Sequence, residues 1–339
     1  MNRIAVTGAA GSLAKKVIPL LIADPSIDSI VALDRRSVSS RSSKVQVVRA
    51  DLLTDELIEL FTDCDSIIHL ADQHQGSDHK VAVTALDRVL TAASGVGCRH
   101  LVLLSSALVY GARNDNPVPI TEEQPRRPIP DVNYAVIKSA LEDRAERWQN
   151  EDIANSVGVL RPTATLSEDS TSWIAAELRK ATAARSGMVD PAVQFLHHDD
   201  LASAVVMTAT KSLKGIFNVA PDGWMSASVF RDLGGETKLG IGDTVALKYR
   251  ELLERAGVKG MSGLATYATH PWVVANDKLR SVGWRPTFSS EEAYVAGTPT
   301  PLWQSVPPNK RQEVAMGAAA GTALVVAAVL WRLLVRALR

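Results

Sequence analysis

Short apolar runs alternate with longer segments of helical spacing through the first half of the chain. Arg3–Thr7 reads as a buried strand, and after a glycine turn Ser12–Ala23 reads as a helix. The alternation continues with strands at Ser29–Leu33, Val45–Arg49 and Ser66–Leu70, a short helix at Glu56–Phe61 and a longer one at Lys80–Ser94. A fifth strand follows at Leu101–Ser105, and a sixth at Ser156–Leu160 after a helix over Asn133–Asn150. Strands that are apolar throughout, rather than at every second position, predict burial on both faces. That pattern implies an α/β fold, a doubly wound parallel sheet of the Rossmann type with right-handed crossovers.

Beyond the sixth strand the alternation loosens. Leu201–Thr210, Ser226–Leu233 and Thr244–Ala256 read as helices. The expected organisation is a dinucleotide-binding domain over residues 1–165 with a return segment at about 195–220. A small, mostly helical, discontinuous substrate lobe takes residues 166–194 and 221–295. Residues 296–313, with four prolines, read as a linker. Val314–Trp331 then runs for 18 residues without a charge, between Lys310-Arg311 and Arg332. Extended to residue 335 it predicts a C-terminal apolar helix that spans a membrane, the alternative being a surface or dimer-interface helix.

Composition narrows the function. With 37 basic and 37 acidic residues the formal net charge is zero, which removes the electrostatic reason to propose nucleic acid. Cys64 and Cys98 are the two cysteines and lack metal-type spacing, so neither a disulfide framework nor a metal site is expected. A reducing compartment follows, and with it a cytoplasmic catalytic domain. The apolar start is not read as a signal peptide, because Gly8, Gly11, Lys15 and Lys16 interrupt it.

The candidate chemistry begins in the first turn, Gly8-x-x-Gly11-x-x-Ala14. Gly8 permits the tight turn, Gly11 lets the backbone approach a phosphate, and Ser12 and Leu13 open a helix whose positive end faces that phosphate. Asp34 ends the second strand, where a carboxylate accepts the ribose hydroxyls of NAD. Arg35 and Arg36 leave NADP open. Asp51-Leu52 closes the third strand at the expected adenine edge. The second constellation, Tyr134-x-x-x-Lys138, puts both side chains on one helix face. There an ammonium lowers the pKa of a phenol and turns it into an acid–base group. Ser106, just past the fifth strand, lies where ligands of open α/β sheets bind.

In this order the motifs resemble those of the extended short-chain dehydrogenase/reductases, the group of NAD-dependent sugar epimerases and dehydratases. The likeness runs over roughly residues 3–293 and includes Ser105-Ser-Ala-Leu-Val-Tyr-Gly111, His69-Leu70-Ala71, Leu160-Arg-Pro162 and Phe217-Asn-Val-Ala220. It implies Ser106, Tyr134 and Lys138 as catalytic residues, with Leu70 and Ala71 joining Gly8, Gly11, Ser12, Leu13, Asp34, Arg35, Asp51 and Leu52 around NAD. Tyr134 and Lys138 would also meet the cofactor.

Two departures bear on the substrate. Sugar-nucleotide epimerases carry an Asn soon after the strand-six Arg, whereas Arg161-Pro-Thr-Ala-Thr165 has none. They also place an Arg before the segment matching Phe195–Asp200, where this chain has Val193-Gln194. The resemblance implies hydride transfer at a secondary alcohol or ketone, with a nucleotide sugar as the family's substrate, and the two departures count against that substrate. A membrane-anchored enzyme of the 3β-hydroxysteroid dehydrogenase type, acting on a sterol or lipid, is the alternative. A non-catalytic NAD(P)-binding sensor or scaffold is the third reading. A homodimer is the family's habit. Within His197-His-Asp-Asp200 the expectation is structural, Asp200 capping the helix that follows. Trp173, Trp224, Trp272 and Trp284 are expected to pack in the second lobe.

Overall fold

The computed structural model describes residues 2–71, 78–183, 192–226, 228, 229, 233 and 263–298. Strands β1 (Arg3–Thr7), β2 (Ser29–Asp34), β3 (Val45–Arg49), β4 (Ser66–His69), β5 (His100–Leu104) and β6 (Ser156–Pro162) fall where the apolar runs predict them. With β11 (Gly215–Val219) they form a seven-stranded parallel sheet in the order β11-β6-β5-β4-β1-β2-β3. The order reverses between β1 and β4, which opens a crevice at the C-terminal ends of those strands.

Alternate residues of each strand serve opposite faces. Ile4, Val6, Ile30, Ala32, Ile68 and Val102 pack under α1 (Ala14–Ala23) and α5 (His198–Thr210). Ala5, Val31, Leu33, Ile67, Leu101 and Leu103 pack under α2 (His79–Val96) and α3 (Asn133–Glu151). Both faces of the central strands are covered, which is why they show no polar alternation, while the edge strand β3 is largely exposed.

Residues Met1–Gly297 form one compact unit, yet they hold a third apolar cluster built on Tyr110, Ile120, Leu166, Phe195, Tyr267 and Trp272. Around it lie β7 (Ala164–Ser167), β8 (Ser170–Thr171), β9 (Ala192–Val193), β10 (Phe195–His197) and β12 (Met225–Ser226), in a three-stranded and a two-stranded sheet. Helix α4 (Trp173–Ala183), α6 (Asp277–Ser281) and α7 (Ser290–Ala296) are short. The segments expected to form a mostly helical lobe therefore carry small sheets that this expectation omits. Strands of two to four residues are too short to show a period.

Four local expectations change, the first being that Trp224, expected to pack in the second lobe, is 45% exposed. Helix α5 starts at His198, not Leu201, and its N-cap is His197, whose Nδ1 accepts from Asp199 N at 3.3 Å. Asp200 lies inside the first turn, and its carboxylate accepts from Thr287 N and Phe288 N at 2.8 and 3.0 Å. Trp284 packs with α5 in the first core, its indole donating to Ser203 Oγ at 2.9 Å, rather than in the second lobe. Among the described residues no helix is long and apolar enough to cross a membrane. The expected helices over 244–256 and 314–335 lie outside the described residues, as do half of 226–233 and most of the linker 296–313.

Candidate active site

A cavity of about 820 Å³ occupies the crevice at the sheet's C-terminal edge, lined by residues that follow the parallel strands and by Thr163, Thr165, Ser172, Trp173 and Ile174 beyond β6. That volume suits a cofactor-sized ligand. Its floor is the glycine turn. Gly8 has φ +75°, and a Cβ there would lie 2.6–2.7 Å from the backbone of Leu70 and Ala71. Only glycine lets β1 turn this tightly against the end of β4. Gly11 N donates to Gly8 O at 2.9 Å, and α1 then begins with no side-chain cap, leaving its positive end toward the cavity. Ser12, Leu13, Leu70 and Ala71 all line this part.

At the far end of β2, Asp34 is held in place by backbone amides. Its Oδ2 accepts from Ala10 N at 3.0 Å and its Oδ1 from Arg36 N at 2.8 Å. A carboxylate has lone pairs beyond these two bonds, so Asp34 can still accept ligand hydroxyls. Arg35 reaches Asp51 at 3.8 Å, and Arg35, Asp51 and Leu52 form the same wall. Arg49 Nε donates to Arg35 O at 3.0 Å, which ties β3 to this rim.

The opposite end holds the other constellation. Ser106 and Tyr134 line the cavity; Ser106 also caps the turn Ala107–Tyr110 by accepting from Leu108 N at 3.2 Å. Lys138 does not line the cavity. It is buried behind Tyr134, with Nζ 5.2 Å from the ring centroid and donating to Leu104 O at 2.8 Å. The four-residue spacing on α3 thus puts an ammonium against the phenol from the protein side. Trp173 stands edge-on to Tyr134 at 5.4 Å between centroids and closes that end.

Behind this wall lies a buried ion pair that the sequence did not single out. Glu142, one turn beyond Lys138, accepts from Arg161 Nε and Nη2 at 3.0 and 2.6 Å and from the Ser105 hydroxyl. Burial would lower the Arg161 pKa, but the bond to Glu142 and its charge more than offset this and raise it. Arg161 also stacks over the Tyr110 ring at 4.7 Å, and Tyr110 donates to Asn218 Oδ1 at 2.8 Å. The pair anchors Ser105, the neighbour of Ser106, to the helix that carries Tyr134 and Lys138.

Thr163, Thr165, Ser172 and His198 also line the cavity. Their signal in the sequence was position alone: the first two follow β6, and His198 belongs to the string set aside as structural. His198 is buried, and burial with the neighbouring His197 holds its pKa down at about 4. His69, at the end of β4, contacts Thr7 Oγ1 through Nδ1 at 2.9 Å. Gln194, in place of the expected arginine, is taken up by the backbone: it donates to Gly223 O and Val274 O and accepts from Val274 N. Among the described residues no cluster of His, Cys, Asp or Glu could hold a metal.

The model of the NAD dependent epimerase/dehydratase family matches residues 4–220. Uncharacterized proteins of Mycobacterium tuberculosis and Mycobacterium bovis are 26% identical over 251 residues, 66% of this chain. The match spans 64% of those relatives' own length. UDP-glucose 4-epimerase from Thermus thermophilus in complex with NAD has a TM-score of 0.63 at 20% identity, covering 87% of this chain and 97% of its own. dTDP-glucose 4,6-dehydratase from Bacillus anthracis in complex with NAD gives 0.64 at 17%, covering 88% and 95%. UDP-N-acetylglucosamine 4-epimerase from Methanobrevibacter ruminantium in complex with UDP-N-acetylmuramic acid gives 0.64 at 16%, covering 87% and 96%. At such identities the likeness is one of fold.

Proposed function

Because the chain belongs to the NAD dependent epimerase/dehydratase family, we propose that it is an NAD-dependent oxidoreductase acting at a carbon that bears a secondary hydroxyl. The observation that carries this reading is one cavity joining the Gly8 turn and Asp34 at one end to Ser106 and Tyr134 at the other. The residues fit the cofactor: Gly8 leaves backbone space that a side chain would fill, α1 offers an uncapped N-terminus to a pyrophosphate, and Asp34 offers a carboxylate to a ribose. The same carboxylate repels a 2′-phosphate, which favours NAD over NADP. Residues 1–165 and 195–220 would hold the cofactor, and residues 166–194 and 221–295 the substrate.

Bound NAD supplies the hydride acceptor and donor. Tyr134 exchanges a proton with the substrate hydroxyl. The Lys138 ammonium, fixed by Leu104 O, favours its phenolate. Ser106 hydrogen-bonds the same substrate oxygen. The fold neighbours support a nucleotide sugar as substrate. A second reading, a sterol or lipid, is favoured by Gln194, which is spent on backbone contacts rather than offered to a diphosphate. The uncharged run Val314–Trp331 supports membrane anchoring of a cytoplasmic enzyme under that reading, and carbonate extraction checks it, since full release removes the anchor. Homodimerisation is read by sedimentation velocity.

The test is turnover by the purified chain with NAD and a panel of nucleotide sugars and sterols, followed at the nicotinamide absorbance. Tyr134→Phe should bind NAD normally and lose a factor of about 10²–10⁴ in kcat. Unchanged turnover in that variant, or NAD binding with no turnover on any class by the parent protein, would sink the enzymatic reading in favour of a sensor or scaffold.

A further inference from the structure

On the reading that this cavity holds cofactor and substrate, we infer that Thr165 presents it with a hydrogen-bond acceptor only. It thereby selects a ligand group that donates, a hydroxyl or an amide N–H. A chain of hydrogen-bond contacts runs from the protein surface to Thr165, and each proton in it has one place to go. Asp169 is a carboxylate beside the Lys16 ammonium, 3.5 Å away; the Ser167 hydroxyl and that charge hold its pKa below the usual range. An ionised carboxylate only accepts, so the 2.8 Å contact between Ser167 Oγ and Asp169 Oδ1 uses the serine's one proton.

Ser167 Oγ is also 3.2 Å from His198 Nδ1. With its proton committed, the serine can only accept there, so Nδ1 carries a hydrogen. His198 is buried, and burial keeps it neutral at pH 7, with a pKa of about 4. A neutral imidazole protonated on Nδ1 has a bare Nε2. That Nε2 lies 3.0 Å from Thr165 Oγ1, so the threonine hydroxyl donates to it. Thr165 lines the cavity with only lone pairs left to offer. The parallel pairing of β7 with β10, Thr165 opposite Leu196 and Leu166 opposite His197, brings the threonine beside a histidine 33 residues away.

The polarity discriminates. A ligand hydroxyl or amide N–H gains a bond at Thr165, while a phosphate or carboxylate oxygen meets an acceptor and loses its water without compensation. Two sources offer such a donor: a substrate hydroxyl and the nicotinamide carboxamide. Their effects separate in binding experiments.

The tautomer is read in the full chain with ¹⁵N-labelled histidine, using long-range proton–nitrogen correlation at pH 7. The expected spectrum assigns the proton of His198 to Nδ1; a proton on Nε2, or an imidazolium, overturns the inference without reference to turnover. In parallel, Thr165→Val removes the acceptor with little change of shape, and Thr165→Ser restores a hydroxyl. Valine should weaken the ligand that donates here by roughly 5- to 100-fold, and serine should recover most of it. Loss in direct NAD titration identifies the carboxamide. Unchanged NAD affinity with a raised substrate KM identifies the substrate hydroxyl. Unchanged NAD affinity and KM in a folded valine variant refute the selection. Because the tautomer and NAD titration need no turnover, they stand or fall separately from the Tyr134→Phe test.

Discussion

Glu142→Gln removes the charge from the buried pair behind the active site. Both side chains are almost wholly enclosed, at 3% exposure for Glu142 and 2% for Arg161. Arg161 makes two bonds to the carboxylate, at 3.0 and 2.6 Å, and its Nη1 is already buried without a partner. Glutamine keeps one acceptor oxygen but presents an N–H₂ group where a guanidinium donor now points, and leaves the arginine charge uncompensated. Arg126, with Nε 3.7 Å from Glu142 Oε2, keeps its partners Asp143 and Glu146, so the uncompensated charge is that of Arg161. Breaking one side of a buried pair costs about 3–5 kcal/mol, a large part of the roughly 5–15 kcal/mol by which a protein is stable. Urea denaturation followed by tryptophan fluorescence should show a lower midpoint with an unchanged m-value. Glu142→Leu with Arg161→Leu removes both charges and should be less damaging than Glu142→Gln alone, because no orphan charge remains. A single variant within about 1 kcal/mol of the parent would show that the arginine finds water or another partner, and the account of the pair would fail.

Gly8→Ala forces a left-handed backbone on alanine and drives its Cβ to 2.6 Å from Ala71 N, so a loss of about 2–4 kcal/mol is expected with NAD binding abolished; titration calorimetry on the folded fraction checks it. His198 has a folded pKa of about 4, below the unfolded value near 6.5, so the unfolded chain binds the extra proton first and stability falls as pH drops through that window. This amounts to roughly 3 kcal/mol for the one residue, and His198→Gln should flatten that part of a stability-versus-pH curve measured by urea midpoints. Burial pushes the thiols of Cys64 and Cys98 up to about 11 and about 12, so neither should react with iodoacetamide at pH 8 until the chain unfolds; mass spectrometry of the native protein finding a rapid adduct would contradict this.

Features that depend on near neighbours along the chain are legible in the amino-acid sequence. The unbroken apolar run Ile4-Ala-Val6 made β1 legible as a strand buried on both faces, because successive side chains of a strand point to opposite sides and both sides here are apolar. Gly8 before a helix and Asp34 at the end of the next strand are local features as well, as is the one-turn spacing that brings Lys138 behind Tyr134. The tertiary structure alone decided which distant groups meet. Nothing in the string His197–Asp200 shows that Asp200 would satisfy the amides of Thr287 and Phe288 rather than cap its own helix. The pairing of Glu142 with Arg161, and of His198 with Thr165 and Ser167, likewise waits on strands brought into register by the packed sheet. The reason is physical: a period is imposed by covalent geometry over a few residues, whereas a buried polar group takes whichever partner the core brings near it, and the core is assembled from the whole chain.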